Sequence, residues 1–541
     1  MSLQQENKKS NMILNTGNYL GEEPPEYFQF KYEPDHFQKW GFDAIAKNDN
    51  ILVTAHTGAG KTALALYAIG KYLTCDKNPE LSDDDMVIYT SPIKTLSNQK
   101  FKEFGEYFDD VGILTGDVKI NPTGKLLIMT AEILRNSLLR RSDETVYEWN
   151  FNPNKVKCVI LDEVHFINNP DRGKVWEEII TNLDPKIQLV MLSATISGAE
   201  KLASWVGSIK NKPCHLIPTP FRPVPLHHYI FHNNHASGKS LHCIKDNTSW
   251  NERVWTDISA DIKKKRKGKS RKNVDLNQLF ECIDYCKVND IMPVNVFLLN
   301  RSLAEIIAKK IPFNLNDHNE TSQVIKLWNT HLLKYRDIYE KTDQWEFILD
   351  LAKKGVGVHH SGIIPILKEM VEILYENKLV KVLIATETFA MGVNMPTRTV
   401  IFTQTTKYDG KGTRPLRPEE YIQMAGRAGR RGLDDFGTVI ILPETDIPSE
   451  ADAKSMIMSP PQKINSKLEI DYSFILKRIT RKLDDKVNMK TDEYIIESIN
   501  NTMFAKEIKS KYASISIELI TEKLKIEAFD DLKDCFQKFQ D

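Results

Sequence analysis

Short apolar runs recur along the chain, and each is followed by a turn and a stretch in which apolar residues have helical spacing. They form two sets. The first set is Ile51–Thr54, Met86–Thr90, Leu126–Thr130, Val156–Leu161 and Gln188–Ser193, and the second is Val294–Leu299, Lys381–Thr386, Thr399–Thr403 and Thr438–Leu442. Continuous apolar strands that alternate with helices are typical of parallel sheets covered on both faces. The pattern therefore predicts an α/β fold with two domains.

The segments outside these sets differ in character. A stretch that opens with prolines from Pro218 carries His, Asn and Ser through Trp250 and then the basic run Lys263–Lys272, which predicts a connector over 221–285 with a partly disordered segment. After Pro443 the strand pattern ends, and Ile475 and Ile479 have helical spacing. We therefore divide the chain into an N-terminal extension (1–29), a first α/β domain (30–220), the connector (221–285), a second α/β domain (286–450) and a small, mostly helical C-terminal segment (451–541).

Composition narrows the classes of function. The 541 residues include 73 Lys and Arg and 73 Asp and Glu, so the net charge is zero and any nucleic acid must bind in a local cleft. No apolar run approaches the roughly 20 residues that cross a bilayer, and Met1–Leu20 lacks the apolar core of a signal peptide. The seven scattered cysteines favour a reducing compartment, nucleus or cytoplasm, over disulfide bonds. We expect no membrane partner, and a monomer.

A glycine-rich segment follows the first apolar run. It reads Ala55-His56-Thr57-Gly58-Ala59-Gly60-Lys61-Thr62 and leads into a predicted helix, Ala63–Leu73, which is the context that a phosphate-binding loop requires. Backbone N–H groups of such a loop, here from Thr57 to Gly60, bind phosphates. Lys61 would reach the β- and γ-phosphates, and the Thr62 hydroxyl would ligate Mg²⁺. The segment predicts ATP and Mg²⁺ as cofactors.

Two adjacent carboxylates, Asp162 and Glu163, follow the apolar run Val156–Leu161. Ligands bind at the carboxyl edge of parallel sheets, so both side chains should face the phosphate-binding loop. Asp162 would hold Mg²⁺, and Glu163 would orient and deprotonate the attacking water. Two solvated acids in a turn are the alternative, but the buried strand that leads into them disfavours it. Together with Lys61, these residues predict a nucleoside-triphosphate hydrolase.

The second domain carries two arginines in Gln423-Met424-Ala425-Gly426-Arg427-Ala428-Gly429-Arg430-Arg431-Gly432. Their spacing of three predicts that Arg427 and Arg430 share one face of a short helix. Such a pair suits the charge that develops during phosphoryl transfer, where an arginine finger contributes about 10³–10⁵ in rate. A basic surface face is the alternative, but glycines that weaken a helix and allow close approach favour catalysis. Hydrolysis is then expected when the two domains close.

With these residues in view, the chain resembles the superfamily-two DExH-box helicases, and most of all the superkiller-type RNA helicases that serve the RNA exosome. The resemblance extends from about Phe30 to Leu442. Beyond the phosphate loop and the D-E-V-H box it rests on long matches, which are Tyr89-Thr90-Ser91-Pro92-Ile93-Lys94-Thr95-Leu96-Ser97-Asn98-Gln99-Lys100, Thr130-Ala131-Glu132-Ile133-Leu134-Arg135, His359-His360-Ser361-Gly362, Ala385-Thr386-Glu387-Thr388-Phe389-Ala390-Met391-Gly392-Val393-Asn394-Met395-Pro396 and Glu420-Tyr421-Ile422-Gln423.

The resemblance implies two tandem RecA-like domains and an ATP-dependent RNA helicase. Such an enzyme hydrolyses ATP at the interface of the two domains and translocates on single-stranded or tailed duplex RNA, 3′ to 5′. RNA-processing or decay complexes are the implied partners.

The family pattern assigns further residues by position. Gln38 is similar to the adenine-reading glutamine, with Phe30 as a stacking partner. Gly392 and Asn394 lie in a motif that touches nucleotide and RNA, and Gln423 would position water beside the arginines. The strand-tracking motifs contain Pro92, Lys94, Thr130, Glu132 and Thr386. Their contacts are mainly with the sugar–phosphate backbone, so little sequence preference is expected, and Lys94 would add a salt-dependent contact.

Asp409-Gly410 between β-forming residues predicts a hairpin between two second-domain motifs. Relatives carry a strand-separating hairpin at this place, which makes Lys407 and Tyr408 candidate nucleic-acid contacts; a plain surface hairpin is the alternative. The relatives continue into complete winged-helix and ratchet domains, whereas about a hundred residues follow Leu442 here. We expect part or all of a winged helix there, in either a truncated protein or a minimal homologue.

Two other functions fit the same motifs. A DNA helicase of the same superfamily fits because motifs that contact the backbone do not by themselves read the 2′-hydroxyl. An ATP-gated RNA clamp that does not unwind is the other, because the complete winged-helix and ratchet domains of the relatives are not expected here. Cys282 and Cys286 could be read as metal ligands, but they lie one helical turn apart without a second pair, so we expect thiols.

Overall fold

The computed structural model describes residues 11–56, 58–73, 82, 84–139, 152, 154–219, 222–234, 239–247, 249–265, 276–392, 395–410, 412–443, 448–484 and 488–511. The chain divides into two compact units. As far as their residues are described, the first comprises Met1–Ala55, Gly60–Pro220 and Gln462–Asp541, and the second comprises His56–Ala59 and Phe221–Pro461.

The first unit contains a nine-stranded sheet. Its strands are β1 (Met12–Leu14), β2 (Asn50–Ala55), β3 (Met86–Ser91), β4 (Val111–Leu114), β5 (Lys119–Ile120), β6 (Leu126–Thr130), β7 (Val156–Leu161), β8 (Gln188–Ser193) and β9 (Cys214–Thr219). They lie in the order β1-β9-β2-β8-β7-β3-β6-β4-β5, and every neighbouring pair is parallel except β4–β5. The helices between them are α1 (His36–Ala46), α2 (Thr62–Leu73), α3 (Lys94–Gly105), α4 (Ala131–Leu139), α5 (Lys174–Asn182) and α6 (Ala199–Lys210).

The central strands of this sheet explain why the apolar runs predicted it. Every residue of β2, β3, β6 and β8 is buried, so both faces of the sheet are covered. Parallel pairing places the carboxyl ends of β2, β3, β6, β7 and β8 on one edge. The segments that follow these strands carry the candidate site of this unit.

The second unit contains a seven-stranded sheet and a separate hairpin. Its strands are β10 (Leu226–Asn234), β11 (Lys239–Lys245), β12 (Val294–Phe297), β13 (Val356–His359), β14 (Val382–Ala385), β15 (Thr399–Phe402), β16 (Thr406–Tyr408), β17 (Thr413–Pro415) and β18 (Gly437–Ile441). The sheet order is β11-β10-β18-β15-β12-β14-β13, parallel except for β10–β11, and β16–β17 form the antiparallel hairpin. Its helices are α7 (Glu252–Lys265), α8 (Leu276–Val288), α9 (Arg301–Lys310), α10 (His318–Leu332), α11 (Arg336–Tyr339), α12 (Asp343–Lys353), α13 (Pro365–Glu376), α14 (Glu387–Gly392), α15 (Pro418–Ala425) and α16 (Glu450–Met458).

The stretch expected to be a connector, 221–285, differs from that expectation where it is described. It forms β10, β11, α7 and most of α8 within the second unit. His228 Nδ1 lies 2.7 Å from the Tyr421 hydroxyl, and His232 Nε2 lies 2.8 Å from the Asp261 carboxylate. Buried histidines whose hydrogen bonds are satisfied in this way are typical of a folded unit. The polar composition of the stretch therefore did not indicate that it forms strands. The basic run beyond Lys265 lies outside the described residues.

The C-terminal helices α17 (Tyr472–Asp484), α18 (Thr491–Asn500) and α19 (Met503–Lys511) belong to the first unit. Ile464 and Met503 are buried in the apolar cluster of that unit. Trp205 Nε1 on α6 donates a hydrogen bond to the Asn501 carbonyl over 2.9 Å. The segment is helical as expected, but it packs as part of the first unit and is not a separate appendage. Residues 512–541 lie outside the described part.

Among the described residues, no helix is both long and apolar enough to span a membrane. The same residues contain no group of three His, Cys, Asp or Glu side chains arranged to hold a metal ion. The described cysteines, Cys158, Cys214, Cys243, Cys282 and Cys286, are free thiols. Burial raises the pKa of the Cys282 thiol, and hydrogen bonding with Cys286 acts in the same direction.

Candidate active site

The phosphate-binding loop leaves β2 and enters α2. Gly58 and Gly60 have φ values of +80° and +93°, which glycine adopts without strain. The Ala59 N–H donates to the His56 carbonyl over 3.2 Å, so the loop turns tightly. Lys61 Nζ donates to the Ala55 carbonyl over 2.8 Å, which places the ammonium group at the end of β2. Thr57, also predicted in this loop, lies outside the described residues.

The first residue of α2, Thr62, accepts a hydrogen bond from Lys100 Nζ over 3.1 Å. Lys100 lies on α3, is nearly buried, and also binds the Glu103 carboxylate at 2.8 Å. Its positive charge lowers the pKa of Asp162, as does that of Lys61. Lys100 therefore belongs to the candidate nucleotide site, although the spacing of the motifs does not reveal it. The only signal for it in the sequence is its place at the end of the family match that begins at Tyr89.

The two predicted acids directly follow β7 at the same sheet edge. Asp162 is buried, its Oδ2 accepts from the Tyr89 hydroxyl, and its Oδ1 accepts from the Glu163 N–H over 2.9 Å. Burial raises the pKa of Asp162, and the negative charge of Glu163 adds to this, against the lowering by Lys100 and Lys61. Tyr89 on β3 is a second site residue that the sequence interpretation missed.

Glu163 has left-handed backbone geometry, with φ of +52°. Its Oε2 lies 3.2 Å from His165 Nδ1 but makes no hydrogen bond within the described residues. The Ala194 N–H donates to the same Nδ1 over 3.4 Å, so this nitrogen is an acceptor and cannot also donate to Glu163. Burial, and then the charge of Lys61, lower the pKa of His165 to about 4, so the imidazole is neutral. A buried carboxylate oxygen without a donor fits a role in binding water.

The arginines of the second unit do not share a helix. Helix α15 carries Gln423 but ends at Ala425, so the prediction of one helical face for Arg427 and Arg430 was wrong. Gly429 has φ of +87°, and a Cβ there would lie 2.4 Å from a methyl group of Val224. The close approach expected from the glycines is therefore present at Gly429, but the helix has already ended at Ala425.

The segment 426–430, called the arginine loop below, is held by contacts within the second unit. Arg427 is buried and donates to the Ala390 carbonyl on α14. Arg430 binds the Asp434 carboxylate through Nε and Nη2, both at 2.8 Å. Arg222 Nη2 donates to the carbonyls of Gly426 and Ala428, each over 2.9 Å. Burial, and then the charge of Arg427, lower the pKa of Arg222 to about 10. Arg222 was not among the predicted residues.

The residues assigned to adenine lie at the start of the first unit. Gln38 is buried, its Nε2 donates to the Gly60 carbonyl over 2.9 Å, and its Oε1 accepts from the Asp35 N–H over 2.8 Å. It therefore joins the start of α1 to the phosphate-binding loop. Phe30 stacks on Phe42 with ring centroids 5.3 Å apart and lines an open groove of about 600 Å³. Their adenine-binding roles stay predictions.

Two of the predicted strand-tracking residues, Pro92 and Glu132, are brought together in the first unit. Pro92 and Lys94 follow β3, and Glu132 lies on α4 after β6. Arg172, which the sequence interpretation missed, donates to the Pro92 carbonyl and to Glu132 Oε1, the latter at 2.9 Å from Nε. Lys94 Nζ lies 2.6 Å from the Asp117 carboxylate. Arg172 thus joins two of the predicted RNA-contacting segments.

The remaining residues predicted to contact RNA or nucleotide differ from one another in burial and in their partners. Thr130 and Thr386 are buried at the ends of β6 and β14. Lys407 is paired with Glu387 at 2.6 Å, whereas Tyr408 is 68% exposed. Gly392 ends α14, and Asn394 lies outside the described residues. The pairing of Lys407 reduces the positive charge that it could offer to a phosphate.

Two mostly parallel sheets with their helices form tandem RecA-like α/β domains, and the family matches place the chain in the helicase class. The DEAD/DEAH box helicase family matches residues 35–202, and the helicase conserved C-terminal domain matches residues 314–432. The chain belongs to the superfamily-two helicases of the DExH-box, superkiller type.

Three relatives illustrate this membership. Exosome RNA helicase MTR4 of Mus musculus is 39% identical over 480 residues, which is 87% of this chain and 44% of the relative. Superkiller complex protein 2 of Homo sapiens is 40% identical over 472 residues, or 84% of this chain and 36% of the relative. DExH-box ATP-dependent RNA helicase DExH9 of Arabidopsis thaliana is 36% identical over 531 residues, or 95% and 51%. The chain thus spans about half the length of these curated relatives, or less.

Proposed function

We propose that the chain is an ATP-dependent RNA helicase, which hydrolyses ATP to translocate on RNA and unwind it from 3′ to 5′. The observation that supports ATP hydrolysis is that five residues lie together at one edge of the first sheet: Lys61, Thr62, Lys100, Asp162 and Glu163. Opposite charges and a hydroxyl at such an edge are the groups that a nucleoside triphosphate and its metal require.

Each residue has a separate task in this proposal. Lys61 and the loop N–H groups bind the phosphates, and Thr62 with Asp162 would hold Mg²⁺. Bound Mg²⁺ supplies charge neutralisation on the phosphate oxygens. Glu163 orients the attacking water and takes its proton, for which its buried, donor-free Oε2 is suited. The second unit supplies Arg427 and Arg430 to stabilise the charge that develops on the transferred phosphoryl group, and Gln423 to position water beside them.

RNA is the proposed track because the relatives that match most of this chain are named as RNA helicases. The family resemblance assigns the segments of Pro92 and Glu132, which Arg172 joins, to contacts with a sugar–phosphate backbone and not with base edges. Participation in RNA-processing or decay complexes in the nucleus or cytoplasm is part of the proposal, since relatives are named for the exosome and the superkiller complex.

The test compares ATP hydrolysis and strand separation on matched substrates. We expect RNA to stimulate hydrolysis and a 3′-tailed RNA duplex to be unwound, while the Glu163→Gln variant, which binds ATP, does neither. Equal or better unwinding of the matching DNA duplex would contradict RNA as the track. RNA-stimulated hydrolysis without unwinding of any duplex would instead show an ATP-gated clamp.

A further inference from the structure

The hairpin β16–β17 has a charged base. Lys407 on β16 contacts Glu387, the first residue of α14, at 2.6 Å, and Glu420 on α15 at 3.3 Å. Arg414 on β17 binds Glu420 through two parallel hydrogen bonds, Nη1 to Oε2 and Nη2 to Oε1, each 2.8 Å long. We call Glu387, Lys407, Arg414 and Glu420 the charge cluster. Its two positive and two negative groups balance, so it holds the hairpin without a net charge to attract phosphate.

Glu420 is the central member of the charge cluster. Its side chain is 14% exposed and also accepts from the Arg417 N–H over 2.9 Å, which caps the start of α15. Burial by itself would raise the pKa of Glu420, but the hydrogen bonds from Arg414 and Arg417 and the charge of Lys407 outweigh it and bring the pKa to about 2. Glu420 is therefore ionised at physiological pH, and its partners restrict it to one geometry.

The hairpin needs such a support. Its strands have three residues each and do not join the seven-stranded sheet. An isolated two-stranded hairpin is marginally stable at best, so the groups that attach it set its orientation. Besides the charge cluster, the buried Leu416 anchors its base and donates from its N–H to the Thr405 carbonyl over 2.9 Å.

The same two helices contact the arginine loop. Glu420 and Gln423 lie on α15, which leads directly into that loop. Glu387 and Ala390 lie on α14, and the Ala390 carbonyl accepts from Arg427. Both helices that hold the hairpin through the charge cluster are therefore connected to the arginine loop, which is expected to stabilise the charge that develops during phosphoryl transfer.

We propose that Glu420 is a positioning residue that locks the hairpin to α14 and α15, so that rearrangement of the arginine loop moves the hairpin. This inference rests on the proposed function for the task of the hairpin, which is strand separation. The proposal also gives Lys407 the role of holding the base of the hairpin, in place of the contact with RNA that the sequence suggested. The test therefore measures hydrolysis and hairpin movement separately.

The test variant is Glu420→Gln, and Glu320→Gln is its matched control. Glu320 occupies the equivalent capping position on α10, accepts from the Asp317 N–H over 2.9 Å and pairs with Lys381 at 2.6 Å. Its 27% exposure shows that it is half-buried as well. Both variants remove one capping carboxylate in the second unit. Glu320→Gln also removes the ion pair with Lys381, and Glu420→Gln removes the ion pairs with Lys407 and Arg414, so only Glu420→Gln affects the hairpin.

Hairpin movement is measured with a fluorophore on Gly412→Cys. A Cβ at Gly412 meets no atom within 4 Å, so the label fits in open space. Protein without this substitution is labelled in parallel to subtract the signal of native thiols such as Cys243. The readouts are RNA-stimulated ATP turnover, duplex unwinding, and the change in fluorescence on adding a non-hydrolysable ATP analogue with single-stranded RNA.

We expect Glu420→Gln to retain ATP turnover within about twofold of wild type, to unwind about 10-fold less duplex per ATP, and to lose the fluorescence response. Glu320→Gln should match wild type in all three readouts. Arg414→Lys keeps the charge but loses the two-bond fork, so it should show an intermediate loss and serves if Glu420→Gln does not fold.

Parallel losses of turnover and unwinding in Glu420→Gln would overturn the proposal, because they would indicate general disruption of α15. An unchanged fluorescence response would overturn it as well. If wild type hydrolyses ATP but unwinds nothing, the helicase function fails. The fluorescence response then decides the inference by itself: loss in Glu420→Gln supports the link, and a wild-type response rejects it.

Discussion

Replacing the buried Glu177 by Gln should stabilise the first unit at high pH and leave it unchanged at low pH. Glu177 lies on α5 and is fully buried. Its Oε2 accepts from the Ser466 hydroxyl over 2.7 Å, and its Oε1 accepts from the Lys467 N–H over 2.7 Å. A Gln side chain can keep both contacts, because its oxygen accepts from Lys467 and its amide donates to Ser466.

The magnitude follows from the pKa of this carboxyl. Burial raises the pKa of Glu177 from its ordinary 4.5 to about 7, although hydrogen bonds from Ser466 and Lys467 act in the opposite direction. At 1.36 kcal/mol per pKa unit, ionising Glu177 in the folded unit costs at most about 3 kcal/mol. Below pH 4.5 the group is protonated in both states and costs nothing. Stability then falls as the pH rises towards 7, and the full cost is present above that pH.

The assay is thermal unfolding of wild type and Glu177→Gln between pH 5 and pH 8.5 at constant ionic strength. For a domain of this size, about 2–4 °C in Tm corresponds to 1 kcal/mol, so the variant should melt several degrees above wild type at pH 8.5. The difference should shrink towards pH 5. A difference in Tm that does not change with pH, or a variant less stable at every pH, would refute the reasoning.

Three further predictions concern catalysis and packing. Glu163→Gln should leave the Kd for ATP unchanged while abolishing turnover, and near-normal hydrolysis would reject its role as the general base. Arg430→Ala should lower kcat far more than it weakens nucleotide binding, and a loss confined to affinity would reassign this residue to binding. Ile464→Ala should cost the first unit about 2–5 kcal/mol in chemical denaturation, because Ile464 is fully buried in its core. A cost below about 0.5 kcal/mol would show that the C-terminal segment does not stabilise this unit.

Much of the fold follows from local periodicity. The runs at Leu126–Thr130, Val156–Leu161 and Gln188–Ser193 coincide with β6, β7 and β8, because strands covered on both faces must be apolar at successive positions. The strands missed are the short or polar ones. β1 has three residues at the sheet edge, and β10 contains buried histidines whose partners lie far away in sequence. No local pattern marks such a strand, because its polar groups are satisfied only after folding.

The candidate site divides in the same way. The phosphate-binding loop, Ala55 to Thr62, and the acids Asp162 and Glu163 were predicted from motifs, because phosphate binding demands particular residues at a fixed spacing. Lys100 and Tyr89 were missed as site residues, since each approaches the acids from a different element. The expected shared helix face of Arg427 and Arg430 failed because spacing of three has meaning only inside a helix, and α15 ends at Ala425.

The sequence by itself determined the α/β class and the two domains, and it predicted the chemistry of the phosphate-binding loop and its acids, because burial pattern and phosphate recognition are both local properties. The tertiary structure alone decided which side chains meet. It placed the C-terminal helices in the first unit, joined Lys100 to Thr62, and paired Lys407 with Glu387 and Glu420 at the base of the hairpin. These partners come from segments far apart in the chain, and only the packing of the folded chain brings them within hydrogen-bonding distance.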